Sequence, residues 1–217
     1  MKKVSGDDNF YFLLFALLGL LFMSAVMQQL FSGGQKTVLA LIIICLAISI
    51  VGVNRKQALY RTWYGFLLSI ASISGGISFL EGYDLSLITL GALLFFLLSH
   101  TYTALKQVML PDNVSRNQIV GSVCVYLLLG VSWAIIYLIQ IELFPHSFNG
   151  IEAKPWIDNL FDVIYFSFIT LTTVGYGDIS PLLPIPRFFV FIESILGGFY
   201  LAIMVASLVS SHLNQSR

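Results

Sequence analysis

The sequence predicts an all-α membrane protein of six transmembrane helices plus one short segment that enters the bilayer and returns. Three observations predict it. Hydrophobic residues make up 58% of the 217-residue chain and charged residues only 10%, with a mean hydropathy of +0.89. A soluble domain carries about 25% charged residues, because its surface must be wetted. Apolar runs of roughly spanning length recur along the chain with short polar breaks between them. One further apolar run is too short to span and ends in a glycine-containing stretch that is poor helix.

The spans are read at Phe10–Phe31, Val38–Val53, Trp63–Leu80, Leu85–Thr103, Ile119–Leu143 and Arg187–Leu213, the second being the shortest. As helices they cross about 30 Å of hydrocarbon. Isolated strands are excluded, since their backbone groups would be unpaired in lipid. The first run is long for a signal core, and Asp7 and Asp8 spoil the basic flank that a signal peptide needs. Between the fifth and sixth spans lies Ile157–Pro186, whose helical part runs from Asp158 to Thr172. Pro181, Pro184 and Pro186 then stop further helix before the sixth span. A short helix that enters and returns belongs where it lines a cavity inside protein.

Lysine and arginine set the orientation. With the N-terminus in the cytoplasm, Lys2, Lys3, Arg55, Lys56, Arg61, Lys106, Arg116 and Arg217 fall inside, and only Lys36, Lys154 and Arg187 outside. The re-entrant segment then opens to the outer face and both termini are cytoplasmic. The formal net charge is zero, so no basic surface argues for nucleic acid. Cys45 and Cys124 lie in apolar runs and read as small buried hydrophobes. No nucleophile–base cluster supports an enzyme, and no cofactor is implied.

The re-entrant segment contains Thr173-Val174-Gly175-Tyr176-Gly177-Asp178. This resembles the selectivity-filter signature of the potassium-channel pore family without departure over six residues. The resembling context, helix, short helix, filter, helix, extends from Ile119 to His212. The chain accordingly divides into residues 1–110, a four-helix region, and 111–217, a pore domain. The resemblance implies a homotetramer that passes K+ as its permeant ion. In such a pore the backbone carbonyls of Thr173, Val174, Gly175 and Tyr176, with the Thr173 hydroxyl, replace the water that K+ sheds. Carbonyls of successive residues face one axis only where backbone handedness alternates. L-residues resist positive φ and glycine does not, so Gly175 and Gly177 meet that need. The short helix ends near Thr172 with its partial negative charge pointing inward, where it favours a cation.

Supporting positions follow from the same comparison. Relatives often carry a Trp pair behind the filter; here Tyr165 and Phe166 stand there, with the Tyr165 hydroxyl able to bond Asp178. Ile169 stands where some relatives place a glutamate, so the network is thinner. Asp178 reads equally as a mouth charge or a loop cap. Glu193 is an intramembrane carboxylate, which marks function by default; it bonds the short helix, senses protons, or is a neutral acid in packing. Gly197-Gly198 is a candidate gating hinge or a close-packing site. Leu201, Val205 and Val209 share a face at helical spacing and line the inner pore or pack. His100 reads as a packed residue, and Trp63, Tyr64 and Trp156 as interfacial anchors.

Six spans with one pore loop also suggest voltage gating, but Leu85–Thr103 contains no Arg or Lys, Lys106 lying past its end. Steep voltage dependence needs such charges. The first four helices therefore read as a packing collar, a lipid surface or a site for a regulatory partner. The other functional readings are a weakly selective cation channel and a non-conducting regulatory membrane subunit.

Overall fold

The computed structural model describes residues 10–30, 65–66, 69–74, 85–109, 116–152 and 154–215. Its helices are α1 (Phe10–Leu30), α2 (Ser86–Met109), α3 (Arg116–Leu143), α4 (Leu160–Leu171) and α5 (Pro184–Gln215). Among the described residues four helices, α1, α2, α3 and α5, are long and apolar enough to cross a membrane, and α4 is not. They correspond to the first, fourth, fifth and sixth expected spans. The second, Val38–Val53, lies outside the described residues, as do Cys45, Trp63 and Tyr64. Of the third, Trp63–Leu80, only 65–66 and 69–74 are described, and both stretches are helical.

In lipid the gain on packing helices comes from close fit and hydrogen bonds rather than from escape from water. Each contact face follows from helical spacing. Leu13, Leu17, Leu20 and Ser24 are buried along one stripe of α1, while Phe12, Phe15 and Phe22 on its other side are exposed. Leu90, Leu93, Leu97, His100 and Ala104 make the matching stripe of α2. Both helices pack on α3, and α1 also touches α4. The Phe10 amide, an orphan donor at the helix start, finds Asn117 Oδ1 at 3.1 Å. Ser86 donates to Glu142 at 3.3 Å, tying the start of α2 to the end of α3. The most apolar part of α3 is 61% buried, against 11% for α5. So α3 is the central post, and α5 packs on α3 and α4 with most of its surface bare.

Several boundaries differ from the sequence reading. Pro184 and Pro186 do not precede the last helix; they form its first turn. Proline fits there because first-turn amides lack partners anyway and its fixed φ is already helical. Lys106 stands in the last turn of α2 rather than past its end. Trp156 is 8% exposed and packed in the core cluster with Leu20, Leu93 and Val131. Two residues before α4 and two after the segment that follows it also pair as short strands, β1 (Phe148–Asn149) and β2 (Ser180–Pro181), antiparallel with Phe148 opposite Pro181.

Candidate functional site

The site is built on α4. Twelve apolar-rich residues make this helix, and its buried side, with Val163, Ile164, Phe166, Ser167 and Thr170, faces into the chain. Gly130 on α3 lets it approach: a Cβ there would lie 2.6 Å from the Phe168 ring. Thr172 caps the C-terminal end, its amide bonding Phe168 O at 3.0 Å and its hydroxyl the same oxygen at 2.6 Å. Three further amides turn back onto the last turn of α4. Thr173 N reaches Thr170 O at 2.9 Å, and Val174 N and Gly175 N reach Ile169 O at 2.8 and 3.1 Å. The strand that follows therefore leaves the helix in a fixed direction.

Along that strand φ is +60° at Thr173, +55° at Gly175 and +84° at Gly177. Positive φ thus recurs at every second residue. The two glycines adopt it at no steric cost. Thr173 was not expected to share it, and a β-branched residue there is a genuine outlier. Such strain costs on the order of 1–3 kcal/mol and persists only where surrounding bonds over-determine it. The amide turn onto Ile169 and Thr170 is the local structure that does so.

The outer end is clasped from two sides. The Tyr165 hydroxyl donates to Asp178 Oδ2 at 2.8 Å. Gly150, at φ +83°, lies so close to the Asp178 carbonyl that no Cβ fits between them. β1 and β2 continue that contact, and Leu182 N bonds Ser147 O at 2.8 Å. In the loop beyond, Lys154 pairs with Glu152 at 2.6 Å and holds its carboxyl below the usual range. Both side chains are exposed, so the pair is a surface feature.

The inner end rests on α5. A Cβ at Gly197 would run into the Leu171 carbonyl oxygen and lie 2.9 Å from its carbon, while Gly198 meets nothing within 4 Å. That same carbonyl accepts the Tyr126 hydroxyl at 3.2 Å. Ser194 reaches Thr170 O at 3.3 Å. Glu193 is fully buried; the Tyr137 hydroxyl bonds one of its oxygens and Ser167 Oγ lies 2.5 Å from the other. Leu201 and Val205 are exposed, and nothing is described of the Val209 side chain.

The sequence-predicted residues are thus gathered into one unit from Tyr165 to Gly197. Thr172 to Asp178 are all exposed, Tyr176 by 72%, and α5 also exposes Phe188, Phe191, Ile195 and Phe199. Sequence reading missed Gly130, Tyr137, Gly150 and Ser167. The signals were faint: a polar Ser167 within Tyr-Phe-Ser-Phe, and Gly130 and Tyr137 seven residues apart on one face of an apolar helix.

Comparison with known proteins points to the same segment. Residues 123–212 match the family described as Ion channel. Two-pore potassium channel 5 of Arabidopsis thaliana is 35% identical over 103 residues, 46% of this chain and 22% of that protein. Two-pore potassium channel 2 of the same plant is 32% identical over 94 residues, 43% of this chain and 19% of its own length. The hyperpolarization-activated voltage-gated potassium channel of Methanocaldococcus jannaschii is 59% identical over 29 residues, 13% of this chain and 14% of that protein. The matched part is therefore less than a quarter of each relative. No solved structure matches the chain.

Proposed function

We propose that this integral membrane protein, whose residues 123–212 match the family described as Ion channel, is a K+-selective pore subunit. Four copies surround one axis, each contributing one strand, Thr173 to Gly177. The observation that carries this reading is the recurrence of positive φ at residues 173, 175 and 177, on a strand left bare by its own chain. Alternating handedness turns successive carbonyls toward one side, and a single row of them cannot enclose an ion. A ring of identical strands can, and cyclic symmetry closes it. The exposed aromatic face of α5 and the exposed Tyr176 ring are the surfaces that neighbouring copies would cover.

In this pore K+ exchanges its water for the carbonyls of Thr173, Val174, Gly175 and Tyr176 and the Thr173 hydroxyl. The C-termini of four α4 helices, ending at Thr172, add partial negative charge below the filter. Tyr165, Asp178 and Glu193 brace the strand from behind. The protein carries K+ passively, with its filter opening outward and both termini in the cytoplasm. Gly197 and Gly198 mark where α5 would bend if the pore gates there; the contact of Gly197 with Leu171 favours close packing at that residue.

The test is flux through purified protein in liposomes. A K+ gradient should drive K+ movement that Gly175→Asp abolishes. Equal K+ and Na+ movement would identify a weakly selective cation pore instead. Absence of any flux from protein shown to be tetrameric would favour a non-conducting subunit.

A further inference from the structure

Glu193 is the one fully buried carboxyl among the described residues, and its surroundings allow its protons to be counted. Three oxygen–oxygen contacts run in a line from α3 through α5 to α4 and back to α3. The Tyr137 hydroxyl meets Glu193 Oε2. Glu193 Oε1 lies 2.5 Å from Ser167 Oγ. Ser167 Oγ lies 2.7 Å from the Gly130 carbonyl oxygen. Each contact needs one proton, for two oxygens at such a distance with only lone pairs between them repel. A carbonyl brings none, and each hydroxyl brings one. Tyr137 and Ser167 therefore supply two protons for three contacts.

We propose that Glu193 supplies the third as a neutral carboxylic acid, and that in this form it is a positioning residue for the filter. The order of donors is then fixed. Tyr137 donates to Glu193, Glu193 donates to Ser167, and Ser167 donates to Gly130 O. If Glu193 were a carboxylate, Ser167 would have to donate to it, leaving the Gly130 carbonyl facing a lone pair at 2.7 Å. Among the described residues no cation or second carboxylate faces Glu193; its titratable neighbours are Tyr137 and Tyr126, both on α3. No countercharge there offsets an ionised carboxylate, and burying a charge without an opposite charge beside it is costly.

The consequence lies one turn away. Ser167 stands on the buried side of α4, and Ile169 and Thr170 of the same helix accept the amides that hold Thr173, Val174 and Gly175 in place. The donor chain ties that helix to α3 and α5 at once, so it fixes the depth at which the filter strand begins. This role rests on the channel reading; the proton assignment does not.

Two variants separate the possibilities. Glutamine is the neutral isostere: its oxygen accepts from Tyr137 and its amide N–H donates to Ser167. Leucine fills the space and leaves both hydroxyls without that partner. In infrared difference spectra of the purified tetramer at neutral pH, wild type minus Glu193→Gln should show the carbonyl band of a protonated acid. A carboxylate band in its place overturns the assignment, whatever the flux shows. In liposomes Glu193→Gln should keep the wild-type K+/Na+ flux ratio, and Glu193→Leu should lower it about tenfold, the scale of one buried hydrogen bond lost. Glu193→Gln as impaired as Glu193→Leu would overturn the positioning role of the neutral acid, as would a leucine variant with unchanged selectivity. No K+ flux in wild type together with the acid band would refute the channel reading, and with it the positioning role, while upholding the proton assignment.

Discussion

Replacing Gly197 by alanine asks whether this glycine is a contact or a hinge. The added Cβ would overlap the Leu171 carbonyl oxygen and lie 2.9 Å from its carbon and 3.0 Å from its Cδ1. Two of those three atoms are backbone at the end of α4, already held by the Tyr126 hydroxyl. They cannot rotate aside as a side chain would. Overpacking of this kind costs about 1–3 kcal/mol. Alanine returns up to about 1 kcal/mol of helix propensity. The net is a loss of up to about 2 kcal/mol, or up to about 8 °C in melting temperature for a chain of this size. Gly198→Ala is the matched control, since its Cβ meets nothing within 4 Å of its own chain. It should melt at or above wild type. The assay is thermal unfolding of the purified protein in detergent, with K+ flux measured in parallel. Gly197→Ala should be less stable than Gly198→Ala and should conduct less, because α4 and the strand it carries are pushed outward. A Gly197→Ala protein as stable as the control would refute the contact argument. Greater stability with lost flux would instead indicate that a flexible hinge had been stiffened.

The remaining predictions concern the filter and its clasp. Gly175→Asp places a side chain at φ +55°, where L-residues are strained, and should abolish K+ flux while leaving the oligomeric state of the wild type unchanged, as size-exclusion chromatography would show. Tyr165→Phe removes the 2.8 Å bond to Asp178; a partly hydrated bond of this kind contributes about 1 kcal/mol, so selectivity should fall only severalfold, read as the K+/Na+ flux ratio. Gly150→Ala must hold φ +83° and displace the Asp178 carbonyl; it should cost more stability than Tyr165→Phe, measured by thermal unfolding. Lys154→Met removes the cation that holds the Glu152 carboxyl low, so that carboxyl should titrate at a higher pH. Any support from the pair is present at neutral pH and fades on acidification through the lowered value. Both groups are fully exposed, so the melting temperature should not change measurably.

What could be read from the sequence divides along physical lines. Four of the six long apolar runs, and the short helix, were legible because bilayer thickness sets a length that no local detail overrides. Gly175 and Gly177 stood out because they lie in a run that resembles the potassium-channel filter signature, and both do adopt positive φ. Thr173 escaped that logic: its positive φ comes from the amide turn onto Ile169 and Thr170, a backbone arrangement with no residue signature. Pro184 and Pro186 were read as breakers although they start α5, because proline's meaning reverses between the first turn and the interior of a helix. Glu193 was visible as an intramembrane acid, but its partners were not. Tyr137 lies 56 residues away and Ser167 lies 26 away, and only packing brings them together. Gly150 likewise gains its meaning from the Asp178 carbonyl beside it.

The measurement that bears most directly on the central claim is the reversal potential of reconstituted protein in a planar bilayer, with K+ on one side and Na+ on the other. Current through the wild-type protein should reverse far from zero, toward the K+ equilibrium potential, and Gly175→Asp should give no such current. A wild-type current reversing near zero, or one that persists unchanged in Gly175→Asp, would contradict a K+-selective filter built from Thr173 to Gly177.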